Sequence, residues 1–252
     1  MRRILSLAAA VVLFAAGVLS SELRSVKRPH GFDNEVYSAS MALYGTLPAH
    51  MDGVMPIPEQ THFLCTVTSY EKVDGGYMLI GAGHCTGQAN SEELPEDLKY
   101  SVSDNIGTKK TPVVLLQAVM SKKMDGNKDY LDYAVYYMPT NRSFPVIPLG
   151  DENDVEIGSN TVDVNFSLGE KLTKELSKGY VSSEVAKEPS LMAGMMLVTQ
   201  FDSHGASGSA IVSEKTHKII GLVIAGYDGT TTPTIAIPMS KIKALVQAVH
   251  KN

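Results

Sequence analysis

Several features that would place a chain in other functional classes are missing from this sequence. There is no excess of positive charge, because 22 lysines and arginines stand against 27 aspartates and glutamates, for a net charge of -5. No lysine- or arginine-rich cluster is present either, so nucleic acid is not expected as a partner. The sequence also has no internal repeat and no low-complexity tract. Only one apolar run, Ile4–Leu19, is long enough to concern a membrane.

Cysteine is scarce as well, with Cys65 and Cys85 the only two in the chain. Two cysteines cannot complete a structural zinc site, and no His-x-x-x-His pair adds ligands. We therefore expect neither a metal nor an organic cofactor. An exported chain with an even number of cysteines usually pairs them. We expect a Cys65–Cys85 disulfide, whose closed loop of about 20 residues would stabilise the fold by roughly 3 kcal/mol.

The amino terminus has the pattern of a secretory signal peptide. Basic residues at Arg2 and Arg3 precede the apolar run, and the small residues Ser20 and Ser21 follow it. The run is short for a membrane span, so we expect cleavage after Ser20, with Gly17 as another possible site. The alternative is an uncleaved amino-terminal anchor that tethers the same domain. Both interpretations predict a secreted or periplasmic protein with no other contact with the membrane.

From about His62 the chain is organised in short β-type runs separated by turn residues. Many short strands without intervening helical stretches indicate a β-barrel or sandwich, and not alternating βα units. Asp74-Gly75-Gly76 and Asp125-Gly126-Asn127 predict hairpin turns. The predicted strands are Phe63–Tyr70, Tyr77–Ala82, Thr111–Met120, Tyr133–Met138, Thr161–Asn165, Gly179–Val185, Met195–Thr199, Ser209–Val212, Ile219–Ile224 and Thr234–Ile237.

The two ends of the chain depart from the strand pattern. Residues 22–55 show no sustained periodicity and are interpreted as an extended lead-in. Ser240–Lys251 predicts an amphipathic helix that is capped by Ser240 and packs on the body of the protein. Its apolar positions at helical spacing are Ile242, Leu245, Val246 and Val249.

Three short segments supply the parts of a nucleophilic acyl-transfer site. In chain order, Gly81–Cys85 contains His84, Leu131–Val135 contains Asp132, and Gly205–Ser209 contains Ser207. A serine hydroxyl is a poor nucleophile at neutral pH, so it needs an imidazole to take its proton. The imidazole in turn needs a carboxylate to fix its tautomer. Asp125 and Asp129 are rivals for that carboxylate, but only Asp132 directly precedes an apolar strand.

Two other motifs fit less well. The glycines of Gly81–Gly87 have the spacing Gly-x-Gly-x-x-x-Gly, and the acidic segment that follows makes a poor helix for a dinucleotide-binding unit. The order Ser207, Asp228, His250 is that of an α/β-hydrolase triad, but the strand–helix alternation of that fold is missing.

Taken together, the histidine, aspartate and serine segments resemble the motifs of the chymotrypsin-like (trypsin-fold) serine peptidases over roughly residues 55–250. Gly-Ser after Ser207 is most similar to the secreted bacterial glutamyl-endopeptidase-like members. The resemblance implies an all-β fold of two antiparallel six-stranded β-barrels with a C-terminal α-helix. It also implies a cysteine beside the histidine that pairs with one on an earlier strand. The expected organisation is a signal peptide at 1–20, a lead-in at 21–55 and a peptidase domain at 56–252, with barrels at about 56–145 and 146–239 and the helix at 240–251.

The resemblance further implies an exported serine endopeptidase that cleaves polypeptides through an acyl-enzyme. In this scheme Ser207 attacks the scissile carbonyl, His84 transfers the proton and Asp132 orients His84. The backbone N–H groups of Gly205 and Ser207 would form the oxyanion hole. The alternative is a catalytically silent trypsin-fold protein that acts as a binding or structural module.

The same resemblance gives an expected specificity pocket. Phe201 occupies the position at which trypsin has the aspartate that binds basic side chains, and Asp202 is one residue further on. A small or apolar substrate side chain is therefore the first expectation. An acidic side chain is the second, although Asp202 would repel it. The pocket residues would be Phe201, Asp202, His204, Ala225, Gly226 and Tyr227.

Ala206 is a departure from the digestive members of this family. They have an aspartate at this position, which pairs with a newly cut amino terminus. We therefore expect activity in this chain without such a salt bridge.

Overall fold

The computed structural model describes residues 29–52, 55–86, 98–105, 109–121, 129–167, 174–183, 194–226 and 233–249. Residues Gly31–Asn252 belong to one compact unit. In the described part of the chain, no helix has the length and apolar character needed to cross a membrane. The predicted signal peptide and the Asp125–Asn127 turn lie outside the described residues.

Strands dominate the described residues, with one α-helix near each end. In chain order the elements are α1 (Phe32–Ala39), β1 (Ser40–Leu47), β2 (His50–Asp52), β3 (Met55–Ile57), β4 (Gln60–Val73), β5 (Gly76–Gly81), β6 (Lys99–Ser103), β7 (Thr111–Met120), β8 (Asp132–Pro139), β9 (Asn160–Asn165), β10 (Glu175–Ser183), β11 (Met196–Val198), β12 (Ala210–Ser213), β13 (Ile219–Gly226), β14 (Thr234–Pro238) and α2 (Met239–Ala248).

Twelve of these strands close into two antiparallel barrels. The first barrel has the order β1-β4-β5-β8-β7-β6 and the second has the order β10-β11-β14-β13-β12-β9, while β2 and β3 form a separate hairpin. The predicted Asp74–Gly76 turn joins β4 to β5, and Gly75 has the positive φ of 75° that such a turn requires. The predicted all-β fold of two six-stranded barrels with a C-terminal helix is confirmed.

Three apolar clusters account for most of the packing. One fills the first barrel and includes Leu43, Val67 and Leu79. Another fills the second barrel and includes Met196 and Ile211. The third and largest cluster contains residues from both barrels and both helices, so it packs these elements against one another. Its members include Val36, Ile80, Val162, Leu222 and Ile242.

The prediction of an extended lead-in over 21–55 was wrong for residues 32–47. Helix α1 leads directly into β1, which pairs with both β4 and β6 and so closes the first barrel. Residues 40–45 of β1 are all buried, on both faces of the strand. Its central residues Met41, Ala42 and Leu43 are not strong strand formers, so the sequence did not predict a strand here. The first barrel therefore begins at Ser40, well before residue 56.

The C-terminal helix is confirmed, but its predicted cap is wrong. The N-cap position is Pro238, at the end of β14, and no side chain caps the helix, so Ser240 lies inside the first turn. Ile242 and Val246 are buried as predicted, whereas Leu245 is exposed.

Candidate active site

The pairing of two strands brings His84 and Asp132 together. Strand β5 ends at Gly81, which pairs with Ala134 near the start of β8. A short 3-10 turn, Gly83–Thr86, follows β5 and carries His84. Asp132 is the first residue of β8. The two side chains therefore leave neighbouring strand ends at the same edge of the first barrel.

Asp132 binds His84 through both carboxylate oxygens. The His84 Nδ1 atom lies 2.7 Å from Asp132 Oδ2, and the His84 backbone N–H donates to Asp132 Oδ1 at 2.9 Å. The Asp132 side chain is 1% exposed and the His84 side chain is 27% exposed. A buried acid thus fixes the orientation of an imidazole that reaches the surface. The rival Asp129 is exposed, and Asp125 lies outside the described residues.

A third donor to this carboxylate was not identified from the sequence. The Tyr130 hydroxyl donates to Asp132 Oδ2 at 3.1 Å. Burial raises the pKa of Tyr130, and the charge of Asp132 raises it further, so the phenol stays protonated and able to donate. Lys241 of α2 donates to the Tyr130 carbonyl at 3.1 Å and links the terminal helix to the site. The one signal in the sequence for this role is the position of Tyr130, two residues before Asp132.

Ser207 lies in a tight turn that is shaped by glycines on both sides. Gly205 has φ 102° and Gly208 has φ 81°, values that favour glycine. The Gly208 N–H donates to the Val223 carbonyl at 2.8 Å. A Cβ atom on Gly208 would lie 2.4 Å from the Thr66 carbonyl oxygen, so the turn approaches strand β4 too closely for any other residue.

Thr66 attaches this turn to the first barrel. Its backbone N–H donates to the Ser207 carbonyl at 3.0 Å, and its hydroxyl donates to the Gly205 carbonyl at 2.9 Å. The Thr66 hydroxyl also accepts the Phe166 N–H at 3.2 Å. Sequence reasoning did not single out Thr66, because its partners are more than 90 residues away in the chain.

The predicted disulfide is confirmed and lies beside Thr66 and the Ser207 turn. Cys65 and Cys85 are bonded, with their Cα atoms 6.0 Å apart. Cys85 follows His84 in the 3-10 turn, and its Sγ atom is 4.0 Å from the Ser207 carbonyl oxygen. His84 and the Ser207 turn are therefore both attached to the segment Cys65–Thr66 of β4.

Two backbone donors in the Ser207 turn are available to a ligand. Within the described part of the chain, the N–H groups of Gly205 and Ser207 donate to no backbone carbonyl, whereas Ala206 and Ser209 donate to carbonyls of the turn itself. Ala206 is fully buried in the second barrel.

The residues predicted to form the specificity pocket come from two segments. Phe201 and His204 are exposed, while Asp202 is 5% exposed. Ala225 and Gly226 end strand β13, and a Cβ on Gly226 would meet no heavy atom of the described residues within 4 Å. Tyr227 lies outside the described residues.

Among the described residues, one group of metal-ligating residue types is close enough to hold an ion, with ligand atoms of Cys65, His84 and Cys85 within 4.8 Å of one another. Zinc binds cysteine as the thiolate, and both sulfurs are committed to the disulfide. The oxidised protein has no thiolate to offer at this position.

The chain is similar to known peptidases. A family model described as the trypsin-like peptidase domain matches residues 65–222. No curated protein sequence matches the chain. Among solved structures, "HtrA-type protease AlgW with decapeptide" is similar with a TM-score of 0.64 and 17% identity, over 88% of this chain and 68% of that chain. "HtrA-type protease AlgW with tripeptide" is similar with a TM-score of 0.61 and 16% identity, over 87% of this chain and 64% of that chain. At such low identity the structural likeness concerns the fold alone. The predicted special similarity to glutamyl endopeptidases stays a prediction.

Proposed function

Because the chain belongs to the trypsin-like peptidase family of serine endopeptidases, we propose that it is an exported enzyme whose triad is His84, Asp132 and Ser207. The single observation that carries this proposal is the buried Asp132 carboxylate bonded to His84, beside a serine turn that is hydrogen-bonded to Thr66. A base, its orienting acid and a nucleophile are then assembled around one strand of the first barrel.

The reaction follows from what each group can donate or accept. With Nδ1–H directed at Asp132, the His84 Nε2 lone pair is free to take the Ser207 hydroxyl proton as Oγ attacks the scissile carbonyl carbon. The tetrahedral intermediate collapses, the C–N bond breaks, and the imidazolium returns the proton to the leaving amine. Water then attacks the acyl-enzyme by the same route and releases Ser207.

The negative oxygen of the tetrahedral intermediate would be bound by the Gly205 and Ser207 N–H groups. Both are without a backbone acceptor in the described residues. Donors fixed in advance at the position where charge develops contribute about 3–4 kcal/mol each to the transition state. The positive φ of Gly205 is part of the turn geometry that would direct its N–H inward.

The substrate backbone would bind as an added strand along Ile224–Gly226. On one side β13 pairs with β14 as far as Gly226, but its pairing with β12 ends at Leu222. In the described residues, therefore, Ile224–Gly226 have a free edge towards the Ser207 turn. An unpaired edge of this kind is suited to an extended peptide. Phe201, Asp202, His204, Ala225, Gly226 and Tyr227 would form the pocket for the side chain before the scissile bond.

Polypeptides are the proposed substrates, and one observation supports this substrate class. A second observation supports the proposed export. The two AlgW structures to which the chain is similar are of that protease with a decapeptide and with a tripeptide. The Cys65–Cys85 disulfide fits an oxidising compartment outside the cytoplasm. The amino-terminal sequence pattern agrees with export to such a compartment.

A fluorophosphonate probe, which reacts with activated serines, tests the proposal directly. We expect the oxidised protein to be labelled at Ser207, and we expect Ser207→Ala and His84→Ala to abolish the label. Ser203→Ala, a serine substitution in the same segment, is the matched control and should keep the label. A folded, oxidised protein that neither reacts with the probe nor cleaves a broad peptide library would instead be a silent binding module.

A further inference from the structure

Hydrogen bonds fix the orientation of successive peptide groups in the turn that carries Ser207. A peptide group is planar, so one hydrogen bond at its carbonyl and another at its N–H together fix its direction. One such group joins Gly205 to Ala206, and its carbonyl accepts from the Thr66 hydroxyl at 2.9 Å. Its N–H donates to the Ser203 carbonyl at 2.9 Å. This peptide group is therefore held at both ends.

The peptide group that joins Ser207 to Gly208 is held in the same way. Its carbonyl accepts from the Thr66 backbone N–H at 3.0 Å, and its N–H donates to the Val223 carbonyl at 2.8 Å. Thr66 thus binds two peptide groups of the turn, one through its side chain and one through its main chain.

The two proposed oxyanion donors lie beside the group that the Thr66 hydroxyl binds. The Ser207 N–H belongs to the peptide group after it, whose carbonyl accepts from the Ser209 N–H at 2.9 Å. The Gly205 N–H belongs to the peptide group before it. Within the described residues, neither of these N–H groups donates to a backbone carbonyl. Both donors are therefore available to a ligand, and the peptide group between them is fixed.

The Thr66 hydroxyl is buried, and it acts both as a donor and as an acceptor. Its O–H donates to the Gly205 carbonyl, and its oxygen accepts the Phe166 N–H at 3.2 Å. Phe166 directly follows strand β9, and both Thr66 and Phe166 are fully buried. Strand β4, the end of β9 and the Ser207 turn therefore meet at one oxygen atom. Loss of that oxygen would leave a buried N–H without its partner, which is unfavourable.

We propose that Thr66, through its hydroxyl, is a positioning residue for the oxyanion hole. Glycine has the most freedom of any residue, so Gly205, at φ 102°, needs an external contact to keep one conformation. The hydroxyl supplies that contact and so sets the directions of the Gly205 and Ser207 N–H groups. Donors that are aimed in advance at a developing negative charge stabilise the transition state more than the bound substrate. The inference rests on the proposed function, and it predicts an effect of Thr66 on kcat and not on KM.

Three substitutions in strand β4 test this role. Thr66→Val keeps the shape of the side chain and removes the hydroxyl. We expect kcat to fall about 10–100-fold with little change in KM, which is less than the loss of a whole oxyanion donor because the donors are displaced and not removed. Thr66→Ser retains the hydroxyl and should keep the rate of the unaltered protein. Thr68→Val is the matched control, because the Thr68 hydroxyl is also buried but contacts the Ser40 hydroxyl at 3.4 Å.

The rate of fluorophosphonate labelling gives the same comparison without a peptide substrate. The phosphoryl oxygen of the probe would occupy the oxyanion hole, so Thr66→Val should react more slowly by a similar factor. Equal rates for Thr66→Val and the unaltered protein, or an equal loss in Thr66→Ser or Thr68→Val, would overturn the role of the hydroxyl and leave the proposed triad standing. An unaltered protein that neither reacts nor cleaves peptides would overturn the proposed function, and this inference with it.

Amide hydrogen exchange in the unaltered protein tests the arrangement itself, whether or not Thr66→Val folds. The bonded N–H groups of Ala206 and Gly208 should exchange slowly, and the unbonded N–H groups of Gly205 and Ser207 should exchange faster. Thr66→Ser should keep this difference. Similar exchange rates for all four amides would show that the turn is not held in this way, and would overturn the proposal.

Discussion

At the scale of single residues, the Asp132 carboxylate shows how the site is held in place. His84 Nδ1 and the Tyr130 hydroxyl both contact its Oδ2 atom, while the His84 N–H binds Oδ1. A buried carboxylate has lost its water ligands, so each protein donor has a larger effect than it would at the surface. Tyr130 therefore acts through Asp132 as a positioning residue.

Substituting Tyr130 by phenylalanine tests that role. Loss of one neutral hydrogen bond, worth about 0.5–1.5 kcal/mol, should lower kcat by about 3–10-fold with little change in KM. Steady-state kinetics on one peptide substrate would measure this split. Tyr137→Phe is the control, because its hydroxyl binds the Asp74 carbonyl on the exposed β4–β5 turn. An equal loss in both variants would argue for a general structural effect.

Gly208 offers a second test, which separates backbone strain from steric contact. Gly208→Ala and Gly158→Ala both place alanine at a positive φ, 81° and 79° respectively. Only at Gly208 does the new Cβ meet another strand, 2.4 Å from the Thr66 carbonyl oxygen, whereas around Gly158 nothing lies within 4 Å. Gly208→Ala should therefore lose fluorophosphonate labelling and melt earlier than Gly158→Ala. Similar melting temperatures and full labelling in both would contradict the close approach.

Residue identities in the site were predictable from sequence only where a local pattern marked them. His84 and Ser207 have neighbouring glycines, and Asp132 heads an apolar strand. Thr66 carries no such mark, since it acts through partners such as Gly205, 139 positions away. Its role arises when distant segments meet, which a single sequence does not display.

At the scale of elements, the disulfide connects β4 to the 3-10 turn that carries His84. Replacing Cys65 and Cys85 by alanine together should lower the free energy of unfolding by about 3 kcal/mol, as the chain-entropy cost of the open loop predicts. Urea unfolding would measure the loss. Dithiothreitol treatment of the unaltered protein is the matched comparison and should give a similar midpoint. Unchanged stability in both would show that the turn is held by its other contacts.

Helix α2 provides a matched pair of substitutions on one element. Ile242 is fully buried, whereas Leu245 is 41% exposed. Ile242→Ala should destabilise the protein by about 2–5 kcal/mol because it removes buried methylene groups and leaves a cavity. Leu245→Ala should cost far less, although the sequence pattern placed both on the packing face. Equal losses in urea unfolding would contradict the observed orientation of the helix.

Strands rich in strand-forming residues and bounded by turn residues were predicted well, whether one face or both faces are buried. Strands β4, β5, β8 and β13 were recognised within a few residues of their observed ends, as was α2. Strand β1 was missed because Met41, Ala42 and Leu43 are not strong strand formers. Helix α1 was missed because it has only eight residues and no side chain caps its start.

At the scale of the whole molecule, two buried aspartates of the second barrel, Asp163 and Asp202, should affect the pH dependence of stability. Burial raises the pKa of Asp163 above the ordinary aspartate value of about 4. The folded protein therefore holds a proton that the unfolded chain releases, and stability falls as pH rises from about 4 through the folded-state pKa. Asp163→Asn cannot lose a proton, so its stability relative to the unaltered protein should increase with pH.

Urea unfolding at several pH values from 2 to 8 would measure this trend, and Asp154→Asn is a control of opposite sign. Burial raises the pKa of Asp154, but hydrogen bonds from the Asp151 N–H and Lys218 outweigh it and the net shift is downward. The ionised Asp154 therefore adds stability that is fully present above about pH 4 and is lost as pH falls below that value, and Asp154→Asn should lack this change. Parallel pH profiles for all three proteins would contradict both assignments.

The two-barrel architecture was predictable because the three motifs and the strand pattern agree on it. The environment of single side chains was not, since it depends on how distant strands meet. Phe201 and Asp202 are neighbours in sequence, yet one is exposed and the other is buried against Asn165.

The attachment of the Ser207 turn to Thr66 has a consequence for the order of events after synthesis. His84 and Asp132 belong to the half of the chain that emerges first, and Ser207 to the half that emerges last. In the proposed triad, the first barrel would hold the base and its acid, and the nucleophile would join them only once Thr66 donates its hydrogen bonds to the Ser207 turn. We therefore expect a partly made chain that ends before Ser207 to have no proteolytic activity.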